Sequence, residues 1–172
     1  MQFTYKCKKP IKKSNKFIEN FFIKKGLNIL VELSKKKKRL VNEIIVSEPF
    51  IPELDDLYNL YQYIKINKST TILEFGSGWS TLIFSLALRE LRDKFSDEVK
   101  ALRRNNPFEL FVVENENKYL NITRKRIKKF NKYLNIKDPI KINYHFSHVE
   151  MTTFDDRICT KYKNLPLCNP DF

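Results

Sequence analysis

The residues best suited to chemistry lie in one stretch, Ile72-Leu73-Glu74-Phe75-Gly76-Ser77-Gly78-Trp79-Ser80-Thr81. The run Thr70 to Phe75 is apolar and β-branched and predicts a buried strand. A helical apolar pattern starts at Ser80. Between them sits Gly-x-Gly. Gly76 permits a turn that a Cβ would obstruct, and Gly78 lets a ligand approach the backbone closely. The helix that follows offers unpaired N–H groups and the positive end of its dipole. The chain holds only 3 glycines, and two of them stand in this turn. Gly-x-Gly alone is a weak signal, but its place between strand and helix makes it a candidate ligand loop.

The flanking residues narrow the ligand. A dinucleotide fingerprint needs a Gly or Ala three residues after the second Gly, and Thr81 stands there. That argues against an NAD(P) enzyme. The acidic Glu74 lies two residues before the first Gly. An acid, one residue, Gly-x-Gly and then a small residue resembles motif I of the class I S-adenosylmethionine-dependent methyltransferases. The resemblance runs from about Pro52 to the end of the chain, and residues 1–50 fall outside it. It implies that Glu74, Phe75, Gly76, Ser77, Gly78, Trp79 and Ser80 face S-adenosylmethionine. The loop would take the amino-acid portion, with Glu74 helping to orient it, often through water. A second acid is expected at the tip of the next strand, where it accepts from the ribose hydroxyls. Val113-Glu114-Asn115-Glu116 fits, with Glu114 as first choice, Asn115 beside it and Glu116 as fallback. Adenine contacts would come from the loop after the third strand, near Ser147 to Thr153. The implied reaction is in-line transfer of the sulfonium methyl to a nucleophile, releasing S-adenosylhomocysteine. The methyl acceptor and the catalytic residues stay unassigned, and His145 and His148 are the only histidines.

These residues need a frame. Pro52 followed by Glu53, Asp55 and Asp56 marks a helix start, and Leu54, Leu57, Tyr61 and Ile64 give it one apolar stripe over 53–66. After the strand at 70–75, a helix is predicted from Ser80 to about Leu102, ended by Asn105-Asn106-Pro107. Phe108 to Val113 predicts a second strand, 117–134 a helix with a Lys/Arg face, and Ile140 to Val149 a third strand. The segment beyond reads as polar and irregular. This alternation predicts an α/β domain with parallel strands. In terms of the resemblance it is the N-terminal half of a Rossmann-like methyltransferase fold, with about three strands of a seven-stranded sheet ordered 3-2-1-4-5-7-6. Residues 164–172 look like the run-in to the fourth strand, beside the first, with Asp171 at the strand's start. The chain is therefore expected to be truncated, with a bare apolar edge on the first strand that could self-pair.

Residues 1–50 are expected to form a separate basic extension, and 51–172 the partial cofactor domain. Residues 1–14 read as a loose arm and 15–46 as helical, weakened at Gly26. Ser47 to Pro52 reads as an extended linker.

Composition bounds the classes. Of 172 residues, 42% are hydrophobic and 13% aromatic, enough for a core and against wholesale disorder. No apolar run reaches the length of a membrane span, and the N-terminus lacks a secretory pattern, so a cytoplasmic protein is expected, with peripheral membrane contact an alternative. Cys7, Cys159 and Cys168 form no pair or metal spacing, so no metal is expected. The net charge is +13, carried by 25 Lys and 8 Arg. It is unevenly placed: +9 over residues 1–50, −3 over 51–116 and +7 over 117–172. A competing reading is therefore a non-catalytic basic module. It would bind nucleic acid through Lys35 to Arg39 and Lys118 to Lys132, or a membrane surface through 15–46.

Overall fold

The structure, a computed structural model, describes residues 7–36, 40–41, 44–45, 50–102 and 104–172. The chain divides into two compact units, Met1–Asn67 and Lys68–Phe172.

In the first unit, α1 (Asn15–Lys24) is capped by Ser14, whose hydroxyl accepts from the Phe17 N–H. Its Ile18 and Phe22 are buried. Gly26 takes φ +72 and ends the helix, with the Leu27 N–H donating back to the Phe22 carbonyl at 2.8 Å. Leu30 and Val31 of α2 (Asn28–Ser34) are buried. The single helix expected over 15–46 is thus two helices. They are followed by the short antiparallel pair β1 (Leu40–Val41) and β2 (Ile44–Ile45). A glycine in the left-handed region explains the break. α3 (Leu54–Asn67) packs on α1 and α2 through Leu57, Tyr58 and Tyr61, with Phe21 edge-on to Tyr58 at 4.9 Å. It therefore lies with the first unit, whereas the sequence put the junction at residue 50. The arm is pinned: Asn67 and Gln62 of α3 each engage both backbone groups of one arm residue, Lys8 and Ile11 respectively, at 2.8–3.2 Å. Residues 1–6, the linker residues 47–49 and Lys37 to Arg39 of the basic run lie outside the described residues.

In the second unit, β3 (Thr71–Phe75), β4 (Glu109–Glu114) and β5 (Ile142–Phe146) form a parallel sheet in the order β3-β4-β5. α4 (Trp79–Lys100) and α5 (Asn117–Tyr133) connect them and touch each other beside the sheet. β4 is central and its Leu110 to Glu114 are all buried, which is why it reads as a continuous apolar run. α4 is buried nearly all round from Thr81 to Leu88 and turns amphipathic beyond, with non-helical φ/ψ at Phe95. α5 buries Leu120, Thr123, Ile127 and Phe130.

The third strand is shorter than the expected 140–149. Residues after it are not irregular but form an antiparallel hairpin, β6 (Val149–Phe154) with β7 (Arg157–Tyr162). Its two-residue turn, Asp155-Asp156, has φ +51 and +58. Both central residues are left-handed, as a type I′ turn requires. Asp is tolerated there but is a weaker signal than Asn-Gly, so the sequence did not reveal the hairpin. The last residues run along the free edge of β3. The Asp171 N–H donates to Thr71 O and the Leu73 N–H to Phe172 O, both at 2.8 Å. The edge expected to be bare is therefore partly covered. Among the described residues no helix is long and apolar enough to cross a membrane.

Candidate functional site

The carboxyl ends of β3 and β4 bring the expected residues together. Gly76 follows β3 with φ +88, a conformation that L side chains rarely adopt. Its N–H donates to Val113 O at 2.8 Å, which ties the loop to the neighbouring strand. A Cβ built on Gly76 would meet nothing within 4 Å. One on Gly78 would find only Ser80 Oγ, at 4.0 Å. The loop therefore turns a bare backbone toward open space.

Glu74, in β3, is buried. Its Oε1 accepts from the Ser80 hydroxyl at 2.5 Å and its Oε2 from the Thr81 hydroxyl at 2.7 Å. Thr81 Oγ1 in turn accepts from the Gly78 N–H at 3.1 Å. The carboxyl thus fastens the first turn of α4 to the strand through two hydroxyls. Burial pushes its pKa up to about 7. The two hydroxyl bonds oppose the rise, and the charge of Glu114 adds to it. Both bonds run to the first turn of α4, so Glu74 holds the turn in position, and of its about four acceptor positions two are left over.

Glu114 is the last residue of β4 and is also buried. Its Oε1 accepts from the N–H groups of Asn115 at 2.9 Å and Glu116 at 3.1 Å, and its Oε2 from the Ser77 hydroxyl at 2.9 Å. Two backbone donors fix the carboxylate at the strand tip. A carboxylate has about four acceptor positions, so three bonds leave room for one more. Asn115 contributes its backbone, and Glu116 is exposed and precedes α5.

Phe75 is 58% exposed and stacks on Tyr162 of the hairpin, centroids 5.6 Å apart. Tyr162 also lies against Gly76 and near Glu114. Its pKa is raised by burial first and by Glu114 second, with a hydrogen bond from the Gly76 backbone working against the rise. Trp79, the first residue of α4, carries the Arg126 guanidinium 3.5 Å above its ring. Burial lowers Arg126 to about 10, so it stays a cation at neutral pH. Neither Tyr162 nor Arg126 could be found from the sequence. Tyr162 sits in a hairpin whose turn carries no glycine, and Arg126 reaches the loop from a helix whose spacing shows only a basic face. The Ser147–Thr153 stretch offered for adenine is mostly β6, apart from Ser147, whose N–H donates to Glu114 O, and His148. The histidines pack on rings, His145 on Phe111 and His148 on Phe146. Among the described residues no cluster of His, Cys, Asp and Glu could hold a metal ion.

No protein-family model matches the chain. No curated protein matches it in sequence.

Proposed function

We propose that the carboxyl end of this sheet binds S-adenosylmethionine and that the chain serves methyl transfer. The observation that carries the reading is the pairing of Ser77 in the glycine turn with Glu114 on the adjacent strand tip, 2.9 Å apart. The turn presents bare backbone, and the acid beside it is fixed by backbone donors with an acceptor position to spare. That is what a zwitterionic amino acid joined to a ribose requires. Glu114 would accept from the ribose, with the Ser77 hydroxyl standing where a ribose hydroxyl would compete. The Gly76–Gly78 backbone would face the amino-acid portion. Glu74, held by Ser80 and Thr81, would keep the turn in shape. When bound, the cofactor supplies an electrophilic methyl on a sulfonium, and the residues here bind and orient it.

Calorimetric titration with S-adenosylhomocysteine tests this. Glu114→Ala is expected to weaken binding by about 1–3 kcal/mol, through loss of a charged acceptor. Unchanged affinity in a folded variant would remove Glu114 from the site.

A further inference from the structure

We infer that the outer face of α5 is a docking surface for the phosphate backbone of a nucleic acid. This inference stands on its own observations and does not require the cofactor reading.

α5 carries Arg124, Lys125, Arg126, Lys128, Lys129 and Lys132, with no Asp or Glu between its ends. Among the described residues none of these six forms an ion pair with an acid. Cations elsewhere do: Arg92 with Asp93 and Asp138, Lys141 with Glu109, Arg104 with Asp171. Four of the six are lysines on the exposed side, opposite the buried stripe of Leu120, Thr123, Ile127 and Phe130. The two arginines flank that stripe, Arg126 over Trp79 and Arg124 over Tyr144, which it covers at 4.9 Å.

A lysine-rich composition would by itself produce solvated lysine faces, so the neighbouring helix is the control. The second half of α4 mixes signs, with Arg89, Glu90, Arg92, Asp93, Lys94, Asp97, Glu98 and Lys100. It follows the usual pattern of a solvated face. α5 instead sets Arg124 against Lys128, Lys125 against Lys129, and Lys128 against Lys132, each four residues apart. Each such like-charge pair costs about 0.2–0.5 kcal/mol. The helix dipole favours Lys132 in the last turn and the Tyr144 ring favours Arg124, but no acid among the described residues pairs with these six side chains, and a polyanion would.

A nucleic acid fits this face better than a membrane surface does. An interfacial helix inserts its apolar side among lipids, and the apolar side of α5 is already buried against its own fold. The positions from 124 to 132 rise about 12 Å along the helix axis, enough to follow several phosphates.

The test uses the full chain and a fluorescein-labelled 30-base-pair DNA duplex of random sequence, followed by anisotropy at several salt concentrations. Binding is expected in low salt, falling with log[salt] at a slope of about −3 to −4, as for about four phosphate contacts. The triple reversal Lys125→Glu/Lys129→Glu/Lys132→Glu is expected to weaken binding at least tenfold. Because positions 125 and 129 face each other on the helix, the fold of the variant is verified by its circular dichroism and melting temperature. The neutral triple Lys125→Gln/Lys129→Gln/Lys132→Gln, which adds no like-charge pair, is expected to weaken binding at least threefold, and undiminished binding by it would overturn the inference. A control reversal, Lys12→Glu/Lys13→Glu/Lys16→Glu, changes the net charge equally and is expected to cost much less. Equal losses in the two triples would reduce the effect to net charge and overturn the inference. So would no binding by the native chain at low salt. Tighter binding to vesicles of anionic phosphatidylglycerol than to the duplex, weakened by the α5 reversal, would assign the face to a membrane and overturn it too.

Discussion

The two ends of β3 each carry a carboxyl group held by serine or threonine donors, and they differ in what balances the charge. At the amino end, Asp171 Oδ2 accepts from the Thr70 N–H, the Thr70 hydroxyl and the Thr71 N–H at 2.8–3.1 Å, while its other oxygen pairs with Arg104 at 2.8 Å. At the carboxyl end, Glu74 accepts two hydroxyls and has no cation beside it among the described residues. Asp171 is a latch that fastens the last residues to the sheet edge. Glu74 is buried next to a second acid, Glu114, and is held near neutrality. Burying two acids together under an open backbone turn weakens the fold, and such local cost belongs with binding sites more than with packing.

The carboxyl end of β3 should be the more sensitive of the two to a change at the turn. Gly78 has φ −174, an ordinary extended value, and space where a Cβ would go. Gly78→Asp should therefore fold, with its carboxylate in the space that the proposed function gives to the ligand. Binding of S-adenosylhomocysteine is expected to drop at least about 100-fold, close to 3 kcal/mol, with little change in melting temperature. Undiminished binding would move the ligand away from the turn.

Glu74 makes a pH prediction. Its folded pKa of about 7 stands above the ordinary 4.5. Between those values the folded chain keeps a proton that the unfolded chain has released, so stability falls as pH rises. The contribution is intact below about pH 4.5 and gone above about pH 7, for a total on the order of 3 kcal/mol. Urea unfolding at pH 5 and pH 8 should show the slope, and Glu74→Gln should flatten it. A slope that Glu74→Gln leaves unchanged would assign it to other groups.

The latch should behave as ordinary structure. Asp171→Ala leaves three donors and Arg104 without their acceptor, a loss of about 2 kcal/mol in urea unfolding.

The sequence made much of this legible because strong local signals agreed. The runs Thr-Ile-Leu-Glu-Phe and Glu-Leu-Phe-Val-Val could only be buried strands between amphipathic helices, and two glycines marked the turn that joins the first to its helix. That Glu114 lies beside the turn follows from β4 ending there next to β3, and its bond from the Ser77 hydroxyl shows that placement. Three things were hidden. Gly26 reads from the sequence only as a weak point, and that it takes φ +72 and splits the helix depends on the backbone. The Asp155-Asp156 turn lacks glycine, so β6 and β7 went unread, and Tyr162 with them. The double tie of Glu74 to Ser80 and Thr81 depends on how the first turn of α4 faces the strand, which spacing does not specify.

The most direct test is the fluorescence of Trp79. It is the only tryptophan, it follows Gly78 directly, and it lies under Arg126, so a ligand at the turn must alter its surroundings. Titration of the folded chain with S-adenosylhomocysteine should give a saturable change that NAD⁺ does not produce. No saturable change, with no rise in melting temperature at millimolar ligand, would contradict the assignment and leave the glycine turn a structural device.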